Sequence, residues 1–336
     1  MTLSTFSDLA QLQNLRRDSS QLKADLSRLT SELSSGKVAD VSQALRGDFS
    51  TLSDVTRNLR LNQTFRNSIA EAATAAETRQ AGLERLSNEI DGFAPRLLSL
   101  ASGGSLSDIQ TQLADASGRF DAAVNSLNTR LAGRSIFSAD RPDQNALISS
   151  ETIMTELRTL VAGATDAATI TADVTAWFED AGGGYETIAW QGGDGPVPSV
   201  LVGEGKTAET GVSALEPAIR QTLAGLALAA LAEEQVVPLP EAEQRALATS
   251  AANGLLEAET NIVSLRARLG TEEARIEEAR VAAEAARTSL QLQYNRIVEA
   301  DPYDTATELE ATSNRLESLY IVTARVSRLS LTEFLR

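Results

Sequence analysis

Cysteine and histidine are both absent from these 336 residues. Without cysteine there is no disulfide and no thiolate metal site. Without histidine there is no Ser-His-Asp or Cys-His system, and no zinc centre built on imidazole. Catalysis would have to rest on carboxylates, lysine or a carboxylate-held metal. Aromatic residues make up only 4% of the chain against 42% hydrophobic, with Ala, Leu, Ser and Thr dominant, which favours helices packed on helices. Lysine and arginine number 30 against 46 acidic residues, and a net charge of −16 argues against nucleic acid or an anionic membrane as partner. Long apolar runs are missing as well. The longest, LAGLALAALA at Leu223–Ala232, is too short to cross a bilayer. The opening MTLSTFSDLAQLQN has no basic start and no apolar centre, so no cleavable signal peptide is expected.

Proline is absent from Met1 to Ala94 and from Glu241 to Asp301, whereas six of the eight prolines lie between Pro142 and Pro240. Nine of the 21 glycines fall between Gly182 and Gly211. Two helical ends therefore flank a turn-rich middle. Leu15, Ser19, Leu22, Leu26, Leu29 and Leu33 alternate steps of four and three, the seam of a helix that Gly36 ends as a left-handed cap. A second helix is predicted after Gly47 through Leu52, Val55 and Leu59. After a phase shift it continues through Phe65, Ile69, Ala72, Ala76, Arg79, Leu83, Leu86, Ile90 and Phe93. A third, beginning at SLSD, is predicted over about residues 107–131.

The longest signal is C-terminal. Leu255, Ala258, Ile262, Leu265, Leu269, Glu272, Ile276, Ala279 and Ala283 begin a 3-4 pattern that persists to Ile297. Glu272–Arg275, Glu277–Arg280 and Glu284–Arg287 supply i,i+3 ion pairs. Asp301-Pro302 stops this helix and starts the last one, with Asp as N-cap and Pro in the first turn, running through Leu309, Leu316, Leu319, Val322, Val326 and Leu329. In the middle, YETIAW (Tyr185–Trp190), PSVLV (Pro198–Val202) and KTAET read as short strands, and a helix is predicted over Ala214–Ala232.

Three stretches invite a chemical reading. GEGKT at Gly203–Thr207 ends like a phosphate-binding loop, but Val200 stands where the first glycine is required, and no helix signal follows. A glycine-containing β-turn is the expected structure. GGDG at Gly192–Gly195 has one carboxylate, too few for a calcium cage, and reads as a turn. TEEARIEE places Glu273 and Glu277 on one helix face without partner ligands, so a solvated face is expected. No enzyme, cofactor or metal is therefore expected. The terminal helices raise a different point: each is set off by a break, and their apolar seams are hard to bury within one monomer.

The order of segments resembles the bacterial flagellin family. RLTSELSSGKVAD (Arg28–Asp40) is similar to the end of the first flagellin helix, and SDVTRNLRLNQTFRNSIAEAATAAETRQAGLERL to the second. NTRLAGRSIFSAD (Asn128–Asp140) and NRIVEADPYDTATEL resemble the junctions around the family's variable insertion. ARVSRLSLTEFL (Ala324–Leu335) is closer to the hook–filament junction branch, the third hook-associated protein, than to flagellin. One departure is VADVSQALRGD, where relatives carry an Asn…Asp-Ala-Ala-Gly segment.

The resemblance implies a mainly α fold, a long antiparallel coiled coil or bundle formed by both chain ends, with an inserted β-containing (α+β) middle domain. The expected division is 1–46 with 298–336 as inner coiled coil, 47–140 with 236–297 as outer bundle, and 141–235 as insertion. It implies export by the flagellar type III apparatus, an export chaperone at the C-terminal helix, and an extracellular place at the hook–filament junction. Implied partners are copies of the chain in a ring, the preceding hook-associated protein and flagellin, with no nucleic acid and no membrane insertion. Expected subunit-contact residues are Leu22, Leu26, Leu29, Leu33, Leu316, Leu319, Val326 and Leu329 for the inner layer, and Ile262, Leu265, Leu269 and Ile276 for the outer. The competing readings are a minor or short flagellin that builds the filament itself, and a glycan-binding surface adhesin.

Overall fold

The computed structural model describes the backbone of residues 2–334 and the side chains of residues 10 and 13–325. The chain is mainly helical, and among the described residues its strands form two short hairpins. It divides into two compact units, Met1–Leu61 with Ala285–Arg336, and Asn62–Glu284. Both divisions fall inside long helices.

The first unit is built on α1 (Thr2–Ser35) and α11 (Pro302–Phe334), which pack on each other. A four-residue helix, α2 (Val41–Ala44), follows α1, and the unit also holds the start of α3 (Ser50–Ile90) and the end of α10 (Glu241–Val298). Gly36 sits at φ +67° and donates its N–H to the Glu32 carbonyl at 2.8 Å, the left-handed cap expected there. The Asp301 carboxylate accepts from the N–H groups of Tyr303 at 2.8 Å and Asp304 at 3.2 Å, so it caps α11 as its position before Pro302 requires.

In the second unit α3 and α10 run antiparallel. The Asn62 amide donates to the Ala283 carbonyl at 3.0 Å, and Gln80 to that of Arg266 at 3.4 Å. Then comes α4 (Phe93–Gly103), followed by α5 (Leu106–Leu113) and α6 (Ala116–Leu127), where one helix over about 107–131 was expected. SLSD does start a helix, by a capping box between Ser105 and Asp108. The break comes from tertiary structure: the Glu233 carboxylate accepts the Ser117 N–H at 2.7 Å and its hydroxyl at 2.6 Å, capping α6 from 116 residues away. A hairpin, β1 (Arg130–Leu131) with β2 (Arg134–Ser135), turns at Ala132 and Gly133, both at positive φ.

The middle of the chain is led by helices α7 (Ser150–Val161), α8 (Ala167–Glu179) and α9 (Pro217–Glu234), with one hairpin, β3 (Val200–Gly203) and β4 (Lys206–Ala208). Helix α9 is apolar on every side and is buried accordingly, packed by α5, α6 and α8. At Gly225 a Cβ would lie 2.8 Å from Leu255 Cδ2, which shows how closely α9 approaches α10.

YETIAW is not a strand. Residues Tyr185–Ala189 form a π-helical turn closed by the Trp190 N–H donating to the Tyr185 carbonyl at 2.8 Å. Its alternating pattern serves a different end: Tyr185 is buried with its hydroxyl donating to the Ala214 carbonyl at 2.6 Å. Glu186 faces outward to accept from Arg220 at 2.8 Å. Arg220 also donates to the carbonyls of Phe178 and Asp180, so one side chain gathers the turn and the end of α8.

Candidate assembly surface

The terminal helices are held at one end by a short clasp. Lys37 and Glu299 form an antiparallel bridge, with the Val38 N–H donating to the Val298 carbonyl at 2.9 Å and Ala300 to that of Gly36 at 3.1 Å. This places the C-terminus of α1 beside the N-terminus of α11, so the pair is antiparallel. Glu32, 5% exposed, secures the turn: its carboxylate accepts from Arg28 at 3.2 Å and from the Ala39 N–H at 3.0 Å. Farther along, the Lys23 ammonium lies 5.7 Å from the Tyr320 ring centroid, a cation–π contact between the helices.

The expected contact residues fall into three groups. Leu29 is buried at 1% exposure, Leu22, Leu26, Leu316 and Leu319 are half-buried, and Leu33 is 41% exposed. Val326 and Leu329 lie outside the described side chains, as does most of the ARVSRLSLTEFL segment. Ile262, Leu265, Leu269 and Ile276 are all buried in the second unit's own core, at 2% exposure or less. In the single chain these four side chains hold α10 to its own neighbours.

Among its described side chains the first unit has very little core. Among the described side chains only Leu29, Val55, Val298 and Ala300 are buried apolar residues there, while the continuous hydrophobic core lies entirely between Ile69 and Ala283. Among the described residues, eight of the 13 exposed large hydrophobic ones belong to this smaller unit: Leu33, Phe49, Leu61, Leu292, Tyr303, Tyr320, Ile321 and Val322. Three consecutive ones on α11 widen its apolar face beyond a 3-4 stripe. The sequence seam did not identify Tyr320 and Ile321, because both lie beside the periodic positions.

The three chemical candidates resolve as structure. Gly203 and Lys206 pair across the β3–β4 hairpin, and Gly205 at φ +67° closes its turn, so GEGK is a hairpin tip. GGDG is a tight loop: the Gly193 N–H donates to the Ser138 carbonyl at 3.0 Å, and a Cβ at Gly193 or Gly195 would strike the Asp140 carboxylate. Arg275 and Arg280 pair with Glu272 and Glu277, while Glu284 pairs with Arg66 at 3.2 Å. The Glu273 carboxyl is pushed up from its ordinary value by burial and by neighbouring Glu77. Among the described residues no three Asp or Glu side chains gather as a metal site, and no helix is long and apolar enough to cross a membrane.

Comparison with known proteins places these helices in a class. Residues 253–335, which include most of α10 and all of α11, match the bacterial flagellin C-terminal helical region. The fold is similar to that of a candidate flagellar hook-associated protein from Vibrio parahaemolyticus, with a TM-score of 0.51 and 15% identity, covering 75% of this chain and 99% of that one. A search of curated proteins finds no match. The resemblance to flagellins and hook-associated proteins drawn from the sequence is thus met both by the C-terminal helices and by the fold.

Proposed function

We propose that the chain is a structural subunit of the bacterial flagellum, and within it the adaptor that joins the hook, through the preceding hook-associated protein, to the flagellin filament. The observation that carries this reading is the first unit: among the described residues, its antiparallel terminal helices bury one apolar side chain, Leu29, and leave Leu33, Tyr303, Tyr320, Ile321 and Val322 exposed. Such a pair gains most of its burial from neighbours. Copies of the chain in a ring would cover Leu22, Leu26, Leu33, Leu316 and Leu319, and the exposed stretch Tyr320–Val322 with them. The work is mechanical, with no catalytic step. The three-part division into inner coiled coil, outer bundle and insertion belongs to the same proposal, as do export through the type III apparatus and an export chaperone on α11.

Deletion of the gene is the test. An adaptor's loss leaves hooks without filaments and flagellin free in the medium, both visible by electron microscopy and by blotting the supernatant. Full-length filaments on the deletion strain would overturn the adaptor role and favour a minor flagellin.

A further inference from the structure

Arg79 occupies a seam position of α3, between Ala76 and Leu83, where the spacing calls for an apolar side chain. It is only 8% exposed, and burial lowers its pKa to about 10. Its Nε donates to the Ile136 carbonyl at 3.1 Å, and one Nη donates to the Thr210 hydroxyl at 3.4 Å. No ion pair joins it to a carboxylate among the described residues. A guanidinium carries five N–H donors, so most of its capacity remains open. A buried charge without a counter-charge is costly to the fold, and nothing in the packing of α3 requires it.

The groove that Arg79 lines holds an unsatisfied group. The Ser135 hydroxyl is on a residue 6% exposed and has no hydrogen-bond partner. Arg79 and Ser135 line one groove of about 740 Å³ within the second unit, walled by Ala75, Ile136, Val197 and Val200. Arg134 contributes another guanidinium to the lining, and Glu71 and Asp140 two carboxylates that make no hydrogen bond to Arg79. Strand β3 belongs to a sheet of only two strands, so one of its edges has no backbone partner.

We infer that this groove binds an extended peptide segment with a carboxylate side chain between apolar neighbours. The carboxylate takes the open edge of Arg79 and the Ser135 hydroxyl, the neighbours lie on the apolar walls, and the β3 edge offers backbone hydrogen bonds. A bare inorganic anion would use the charge and leave the walls uncovered. This inference is independent of the flagellar reading.

The test uses the full-length chain and a capped pentapeptide with central glutamate flanked by valines, beside its glutamine twin, titrated by calorimetry. The glutamate peptide is expected to bind at least about tenfold more tightly than the twin. Arg79→Met should bring it down to the twin's level, and Ser135→Ala should weaken it severalfold while circular dichroism shows the fold intact. Arg79→Lys, which keeps the charge, should recover part of the affinity even if Arg79→Met disturbs folding. Self-association of the unliganded chain that the glutamate peptide competes away would identify a second copy as the source of the segment and support the assignment. Equal binding of the two peptides, or affinity for acetate matching that of the peptide, would overturn it.

Discussion

Leu29 and Leu33 lie one helical turn apart on the same seam of α1, yet they are 1% and 41% exposed. Truncating each to alanine separates what holds the terminal helices together in the monomer from what is left for a neighbour. Leu→Ala in a core costs about 2–5 kcal/mol, and the low end applies to a site with few surrounding apolar groups that can collapse around it. For Leu29→Ala we therefore expect about 2 kcal/mol, or roughly 30-fold faster amide exchange of the paired segments if opening is local. Fully burying a leucine is worth about 1.5–3 kcal/mol, so the exposed fraction of Leu33 holds about 0.6–1.2 kcal/mol for a partner to recover. Leu33→Ala should then leave monomer exchange nearly unchanged while weakening assembly three- to eightfold per contact, by roughly 1.4 kcal/mol per decade. Hydrogen exchange with mass spectrometry reads the first quantity and sedimentation of assembled material the second. If Leu33→Ala loosens the monomer as much as Leu29→Ala and leaves assembly untouched, the seam is ordinary intramolecular packing.

Other perturbations have defined signs. Gly225→Val drives a side chain into Leu255 and should lower the urea midpoint of the second unit by about 1–3 kcal/mol equivalent. Gly36→Ala meets no atom within 4 Å, so its cost is conformational only, about 1 kcal/mol for a left-handed residue, seen as faster exchange around the Lys37–Glu299 clasp. Glu233→Ala removes the cap of α6 and should cost about 1–2 kcal/mol in thermal unfolding. The Gly182 N–H, with help from Arg220, holds the Glu186 carboxyl below its ordinary value of 4.5. A folded-state pKa below the unfolded one gives stability that is complete above that ordinary value and is lost as pH falls through the lower folded pKa. Glu186→Gln should therefore lower stability near neutrality and flatten the acid loss of stability below pH 4.5, which urea titrations across that range would show.

The features legible in the sequence are those decided within a few residues. The left-handed cap at Gly36, the Asp301-Pro302 start, the Ser105–Asp108 box and the glycine turn of the β3–β4 hairpin each rest on local geometry. The long seams were legible too, because 3-4 spacing over many turns has few alternatives. What escaped depends on distant partners. The end of α5 has no glycine or proline to announce it, and α6 starts where Glu233 reaches it from α9. Helix α8 has a local cap, the Asp166 carboxylate accepting the Thr169 N–H at 2.8 Å, and a distant contact the sequence does not announce, its Ala167 N–H donating to Glu243 at 2.9 Å. The π-helical turn at Tyr185 hides behind a strand-like alternation because Arg220 and the Ala214 carbonyl fix it from outside the segment. Periodicity marks an apolar seam without saying whose surface covers it: Ile262 and Leu33 read alike, and only the packing separates a core residue from one left open.

Immunogold electron microscopy of intact cells, with an antibody to residues 141–235, locates the protein where the proposed function puts it. One cluster of gold at the boundary between hook and filament is the expected result. Label along the whole filament would make the chain a flagellin, and label scattered over the cell body would contradict a flagellar role altogether.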